Sequence, residues 1–385
     1  MAETPLKILI FSEDFPPDVG GIAQWAFGMA TALQRLGQRV AVLTRYREGY
    51  RPVSLPETGF PVFWMYGKRW PQLRTWHCRR HLRRYLSRGN RPDLVLATTW
   101  NFARGILGLS RRTGFRLVTV AHGLEVTRTM SAPKRRWMRK TFLHSFRVIA
   151  VSQFTRSQLV EIHGVPAEKV LVLPNGVDPA RFFPTDDVGF LRKRLRLENE
   201  KVILTLARVI ERKGHDLVIR ALVKVRRKVP DLRYVIAGPG DPAYLKVLRE
   251  LVRQLGLSEI VTFTGPVAAG ELNALYNLAD VYVMPSRVLP DRGDTEGFGI
   301  TFLEANACGK PVIGGRSGGV EDAVVDGQTG YLVDPDNPDE LAEKLERLLL
   351  QPDLARRLGE RGRRRVEQNL SWDRIAERFL AGLKV

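Results

Sequence analysis

Short apolar runs rich in Val, Ile and Leu recur along the chain, separated by stretches with helical spacing. In the first half they occupy residues 6–11, 39–44, 93–98, 116–121 and 147–152, with a long helix expected over 22–36. The series restarts after Pro174-Asn175-Gly176, with runs at 201–207, 233–238, 260–265, 281–286, 311–315 and 330–333. Runs that are continuous, not alternating, suit parallel strands whose two faces are both covered by helices. Two successive series predict an α/β protein of two doubly wound, Rossmann-like domains. The boundaries expected are 1–175, 176–368 and a last helix over 369–385. Pro and Gly in 174–200 mark that stretch as the hinge, and the chain reads as helical beyond 335. In open parallel sheets ligands lie beyond the carboxyl ends of the strands, so the working site is expected in a cleft that the two domains face.

Composition narrows the setting. No apolar run is long enough to cross a bilayer. The first residues carry Glu3 and lead straight into a strand, unlike a secretory signal. The two cysteines, Cys78 and Cys308, have no partner pattern, which argues against a disulfide framework and against bound zinc. A cytoplasmic protein is the expectation. The formal charge of +20 is concentrated: residues 1–175 hold 28 Lys/Arg against 10 Asp/Glu, and residues 176–385 hold 33 against 31. So uneven a division points to an anionic partner met by the first domain.

The candidate chemistry lies just after strands. Arg208 and Lys213 flank the tight loop that follows the run at 201–207. Arginine grips a phosphate with paired hydrogen bonds and lysine adds a point charge, so the pair suits a diphosphate leaving group. Downstream, Gly297 and Gly299 precede a helix opened by Ile300, whose free N–H groups favour an anion. Glu304 lies one turn into that helix, placed for ribose hydroxyls, and Glu296 stands just ahead of it, placed for a sugar. Asp18-Val19-Gly20-Gly21-Ile22 repeats this logic after the first strand, with Gly20 and Gly21 allowing close approach.

The two glutamates and the segment around them, 295–333, are similar to the E-x7-E signature of retaining glycosyltransferases of family 4. PNGVD at 174–178, ARVIERKG at 207–214, the stretch 271–286 and GGIAQW at 20–25 match in order, so the resemblance spans almost the whole chain. It implies the GT-B fold with the last helix crossing back to the first domain. It further implies a metal-independent, retaining hexosyltransferase that needs no cofactor beyond its nucleotide-diphosphate sugar donor. In that reading Arg208 and Lys213 take the donor diphosphate and Glu304 the ribose. Glu296 and the amides of Gly297, Phe298, Gly299 and Ile300 take sugar and phosphates. Gly238 belongs to a Gly-rich turn beside the nucleotide, and His122, at a strand end, contacts the transferred sugar. Departure of the nucleotide from the face the acceptor attacks, with a phosphate oxygen taking the proton, requires no protein base; were the enzyme inverting, Glu125 or Asp18 would serve.

Between Lys68 and Arg91 there are nine Lys/Arg and no acidic residue, among them Arg69, Arg79, Arg80, Arg83 and Arg84, with Trp70 and Trp76 interleaved. A second cluster holds Arg135, Arg136, Trp137 and Arg139. Basic helices with tryptophan suit an anionic membrane surface. A lipid-linked or polyanionic acceptor met by a peripheral protein on the inner face of the cell membrane is therefore expected. A nucleotide-sugar 2-epimerase of the same fold and a non-catalytic nucleic-acid binder are the rival readings, the second lacking any recognised motif and having no use for the glutamate pair.

Overall fold

A computed structural model describes residues 4–47, 49, 58–66 and 74–384. The chain divides into two compact units, Met1–Gly176 with Trp372–Val385, and Val177–Ser371.

The first unit is built on a seven-stranded parallel sheet: β1 (Lys7–Ser12), β2 (Arg39–Arg45), β3 (Val62–Met65), β4 (Leu94–Ala97), β5 (Arg116–Ala121), β6 (Arg147–Ala150) and β7 (Val170–Val172), in the order β3-β2-β1-β4-β5-β6-β7. The register runs Ile8↔Val40 on one side of β1 and Ile8↔Leu94 on the other. The sequence pattern misses β3 and β7. Both are edge strands with one partner each, so a run of four or three residues, partly exposed, is enough to complete the sheet. Helix α1 (Gly21–Arg35) follows β1. Helices α2 (Arg74–Ser87), α3 (Trp100–Thr113) and α4 (Ala132–His144) pack in series, α3 between the other two. Cys78, Leu82 and Tyr85 of α2 are spaced to share one helix face, and they pack into a core with Phe102, Ile106 and Leu109 of α3.

The second unit has a six-stranded parallel sheet: β8 (Lys201–Leu206), β9 (Leu232–Ala237), β10 (Val261–Gly265), β11 (Val281–Met284), β12 (Val312–Gly315) and β13 (Gly330–Val333), in the order β10-β9-β8-β11-β12-β13. Helix α5 (His215–Val225) follows β8 and α6 (Ile300–Ala307) follows β11. In each sheet the strand order reverses once, between β1 and β4 and between β8 and β11, and the loops leaving those strands diverge to open a crevice.

The stretch expected as a hinge is mostly part of the second unit. Phe182, Leu191 and Leu197 are buried there. The amides of Phe183 and Thr185 donate to the side-chain oxygens of Asn273 (3.0 Å) and Asn277 (3.1 Å). The chain returns to the first unit at Trp372, where the terminal helix Trp372–Gly382 packs along α1. Ile375, Ala376 and Phe379 of that helix are fully buried. A Cβ on Gly28 of α1 would sit 2.2 Å from the Trp372 ring, so the indole is seated where only glycine leaves room.

This seat makes a test of the terminal helix. Gly28→Val and Trp372→Ala should each lower unfolding free energy, by about 1–3 and 3–5 kcal/mol. Gly108→Ala, in the same unit and with open space around its Cβ, should leave stability level or raise it by about 0.5–1 kcal/mol. Denaturant titration of the three variants reads all of this directly.

Candidate active site

In the second unit three loops converge at the carboxyl edge of the sheet. After β8 a single 3-10 turn, Glu211–Lys213, ends at Gly214, whose backbone is left-handed (φ 72°). A Cβ there would meet the Pro285 carbonyl at 2.2 Å, which presses the turn against the loop after β11. The Arg287 amide also donates to the Arg212 carbonyl (2.9 Å). The loop after β12 joins them: the Gly319 amide donates to the Glu296 carbonyl (2.8 Å) and the Ser317 hydroxyl to the Ser286 carbonyl (2.6 Å).

These backbone ties hold a buried charge cluster. Lys213 Nζ and Arg212 Nη1 each donate to Glu296 Oε2, both at 2.5 Å. Arg212 Nε lies 2.9 Å from Asp294 Oδ1, an ion pair without the alignment of a hydrogen bond. Burial alone pushes the Glu296 carboxyl up, but Lys213 and Arg212 together outweigh it and hold the group down at about 2. Lys213 is itself pulled below its ordinary value by burial, with Glu296 opposing. The cluster makes Lys213 and Glu296 partners, and it adds Arg212, which the sequence reading passed over although it stands next to Lys213. Arg208 is exposed and its guanidinium is bonded to no group among the described residues, but its charge is near enough to Lys213 to help lower that ammonium's pKa.

Beyond Glu296 the backbone turns into α6. Gly299 is left-handed (φ 96°) and its Cβ would strike the Phe302 ring at 2.7 Å. Gly297 is not among the left-handed glycines, so of the two only Gly299 is required by its backbone angle. The amides of Gly297, Phe298, Gly299 and Ile300 donate to no acceptor among the described residues. They form an N-terminal cradle suited to an anion. One turn in, Glu304 is buried, and its Oε2 accepts from the Tyr276 hydroxyl at 2.5 Å. Burial and the neighbouring Glu304 keep that phenol well above its usual range, so it remains a donor. Tyr276 sits inside a matched segment, yet nothing in its spacing separates it from a core aromatic. Gly238 (φ 127°) has a structural reason to be glycine: a Cβ would lie 2.1 Å from the Ala207 carbonyl.

In the first unit Gly20 (φ 150°) caps α1 with open space around it, and Gly21 is the helix's first residue. His122 is half-buried after β5, its ring edge-on to Trp25 (5.8 Å between centroids). Its Nε2 is 3.0 Å from the Thr98 carbonyl, which fixes the proton on that nitrogen and leaves Nδ1 as acceptor. Burial lowers the ring to about 4. Glu125 accepts from the His122 amide (2.6 Å), and Asp18 pairs with Arg47 (2.8 Å); both carboxylates thus have structural work.

The basic residues gather on α2 and α4. Arg80, Arg83 and Arg84 are exposed on α2, while Arg79 is half-buried; Arg135, Arg136 and Arg139 are exposed on α4, Arg139 donating to the His163 carbonyl (3.0 Å). Trp76 and Trp137 are exposed at 56% and 40%. Arg80 stands 5.3 Å from the Trp76 ring centre, and Arg104 of α3 stands 4.3 Å from that of Trp137. Arg69 and Trp70 lie outside the described residues. Among the described residues no helix is long and apolar enough to cross a membrane.

Two parallel-sheet Rossmann-like units make up the GT-B architecture. Residues 19–181 match the model for Glycosyltransferase Family 4 and residues 187–365 that for Glycosyl transferases group 1. The chain is 34% identical over 382 residues, 95% of each chain, to a GDP-mannose-dependent alpha-(1-6)-phosphatidylinositol monomannoside mannosyltransferase of Mycolicibacterium smegmatis. It is 30% identical over 381 residues, 97% of this chain and 96% of the other, to a GDP-mannose-dependent monoacylated alpha-(1-6)-phosphatidylinositol monomannoside mannosyltransferase of Corynebacterium glutamicum. The structure of Anabaena Alr3699/HepE in complex with UDP and glucose superposes with a TM-score of 0.82 at 22% identity, covering 98% of this chain and 99% of that one. The chain belongs to glycosyltransferase family 4.

His122 gives a pH test of the first unit. The unfolded chain protonates this ring near 6.5 and the folded chain near 4. As pH falls between those values the unfolded state takes up the extra proton, so stability should drop by about 3 kcal/mol from this group. His215, held near 3 by burial, slopes the same way. The difference in unfolding free energy between wild type and His122→Gln isolates the first ring: wild type should lose ground to the variant as pH falls. A difference that stays constant with pH would mean the ring protonates freely in the folded protein.

Proposed function

We propose that the protein is a retaining, metal-independent mannosyltransferase that moves mannose from GDP-mannose onto a phosphatidylinositol-linked glycolipid at the cytoplasmic membrane surface. The observation that carries this reading is the cradle ahead of α6: four unpaired amides flanked by Glu296, with Lys213 and Arg212 beside it, and by Glu304 one turn on. Cations and oriented amides together suit a sugar diphosphate whose charge grows as the glycosidic bond breaks. We assign Arg208 and Lys213 to the diphosphate, which they neutralise without a metal. The amides of Gly297, Phe298, Gly299 and Ile300 take its oxygens, Glu304 the ribose and Glu296 the mannose hydroxyls. Gly238 lies in the turn assigned to the nucleotide. In the first unit, Gly20, Gly21 and the Nδ1 face of His122 are assigned to the transferred sugar and the acceptor. The C1–O bond to the diphosphate breaks, the acceptor oxygen bonds C1 on the same face, and its proton passes to a phosphate oxygen. The mannose donor and inositol-phospholipid acceptor are carried by the likeness to the mannosyltransferases over the whole chain.

Docking is assigned to α2 and α4. Their exposed arginines gain about 1 kcal/mol each near an anionic leaflet, and Trp76 and Trp137 suit the interface. Replacing Arg80, Arg83, Arg84 and Arg136 with Glu should abolish sedimentation with phosphatidylinositol-containing vesicles while leaving donor binding in solution unchanged. Retained sedimentation would remove α2 and α4 from the reading.

A thermal-shift series tests the donor assignment. GDP-mannose at about 100 times its dissociation constant should stabilise wild type by about 2.7 kcal/mol. UDP- and ADP-sugars should do less, and Glu304→Ala should lose the response. No shift with any of the three would count against the nucleotide-sugar reading.

A further inference from the structure

The cluster around Glu296 holds more cation than one carboxylate oxygen requires, and the excess is specific in direction. Arg212 and Lys213 both bond Oε2, so the other oxygen, Oε1, remains to accept from a ligand. Their other ties differ. Lys213 spends a second N–H on the Met284 sulfur at 3.4 Å and keeps a third for the donor. Arg212 is turned away from any ligand: it is 96% buried, its Nε pairs with Asp294, and its own carbonyl accepts from the Arg287 amide.

A diphosphate brought to Lys213 adds negative charge within a few ångströms of Glu296. It competes for the same ammonium and favours protonation of the carboxylate. A protonated Glu296 loses the charge that strengthens its hydrogen bonds to sugar hydroxyls. The cluster therefore needs a cation that the donor does not recruit, and Arg212 is placed to be it. Resting on the donor reading above, we propose that Arg212 is a positioning residue: gripping Oε2 from the protein side, it keeps Glu296 anionic and Oε1 aimed at the sugar while Lys213 serves the diphosphate. Asp294 fixes the guanidinium in this role. The two adjacent cations of one turn thus divide their work, Lys213 on the donor and Arg212 on the carboxylate.

Arg212→Gln, Arg212→Lys and Glu296→Gln in the full chain test this division. With GDP-mannose as donor, Arg212→Gln should lower kcat/KM by about 100-fold. It should also lift the acid limb of the kcat/KM profile above the step that His122 sets near 4. Affinity for GDP alone, which lacks the sugar, should change by less than about threefold. Arg212→Lys should return the acid limb toward wild type, and in a Glu296→Gln background Arg212→Gln should no longer move the limb that His122 sets near 4. A loss of activity in Arg212→Gln with the acid limb in place, or an equal loss of GDP affinity, would overturn the proposal and leave Arg212 a packing residue.

A ligand-free arm separates this failure from failure of the donor reading. The stability gap between wild type and Arg212→Gln should be present at neutral pH and close as pH falls from the ordinary carboxylate range toward about 2, where Glu296 of the folded wild type takes up its proton and the pairing vanishes. A gap that persists unchanged in acid would refute the pairing even if GDP-mannose turns over normally. A gap that closes in a protein inert toward GDP-mannose would uphold the pairing and reject the donor.

Discussion

A carboxylate taken out of water is tolerated only while its partners stay within hydrogen-bond reach. Glu296 is in that position, and its partners come from another loop: Arg212 and Lys213 follow β8, whereas Glu296 follows β11. Losing either cation from a buried pair costs about 3–5 kcal/mol, so the cluster pins the two loops together. The backbone supplies the matching constraint. Gly214 lets the turn lie against Pro285, and Gly318, left-handed at φ 56°, lets the loop after β12 lie against the Glu296 carbonyl. With the three loops fixed, the first turn of α6 is held with its amides free of any acceptor among the described residues.

Much of this was readable from the residues. The continuous apolar runs located the central strands of both sheets, because a strand covered on both faces must be apolar throughout. The edge strands β3 and β7 escaped because half their surface faces away from the core. In the site, the two glutamates and the glycine at 299 were visible, since a left-handed residue ahead of a helix leaves few choices. Arg212 and Tyr276 were not. That both neighbouring cations turn inward depends on a turn that Gly214 seats against the loop after β11, remote in the chain. A tyrosine that orients a carboxylate has the same helical spacing as one that fills a core.

The division of charge has a related logic. The second unit keeps acids and bases nearly balanced, and two of its site cations, Arg212 and Lys213, are buried against a carboxylate. In the first unit the excess arginines sit on the outer faces of α2 and α4, whose inner faces carry Cys78, Leu82 and Tyr85 or Met138 and Phe142 into the core. Helices with so few acids gain little from ion pairs along their own length. Their stability rests on the buried stripe, which leaves the outer face free to serve a partner of opposite charge.

The two glutamates show how burial makes similar groups different. Glu296 and Glu304 flank the same helix start, yet one is surrounded by cations and the other by a phenol. The first is locked as an anion with one oxygen committed to the protein. The second receives a neutral hydrogen bond from Tyr276, which orients it without neutralising its charge. Groups whose surroundings diverge in this way can take different parts of one ligand: an anion poised between cations suits the sugar end, where charge shifts as a bond breaks, and an oriented carboxylate suits hydroxyls that do not react. The eight-residue separation that brings them to one ligand is a property of the sequence, but the difference between them comes from the loop after β8 and the helix carrying Tyr276, both remote in the chain.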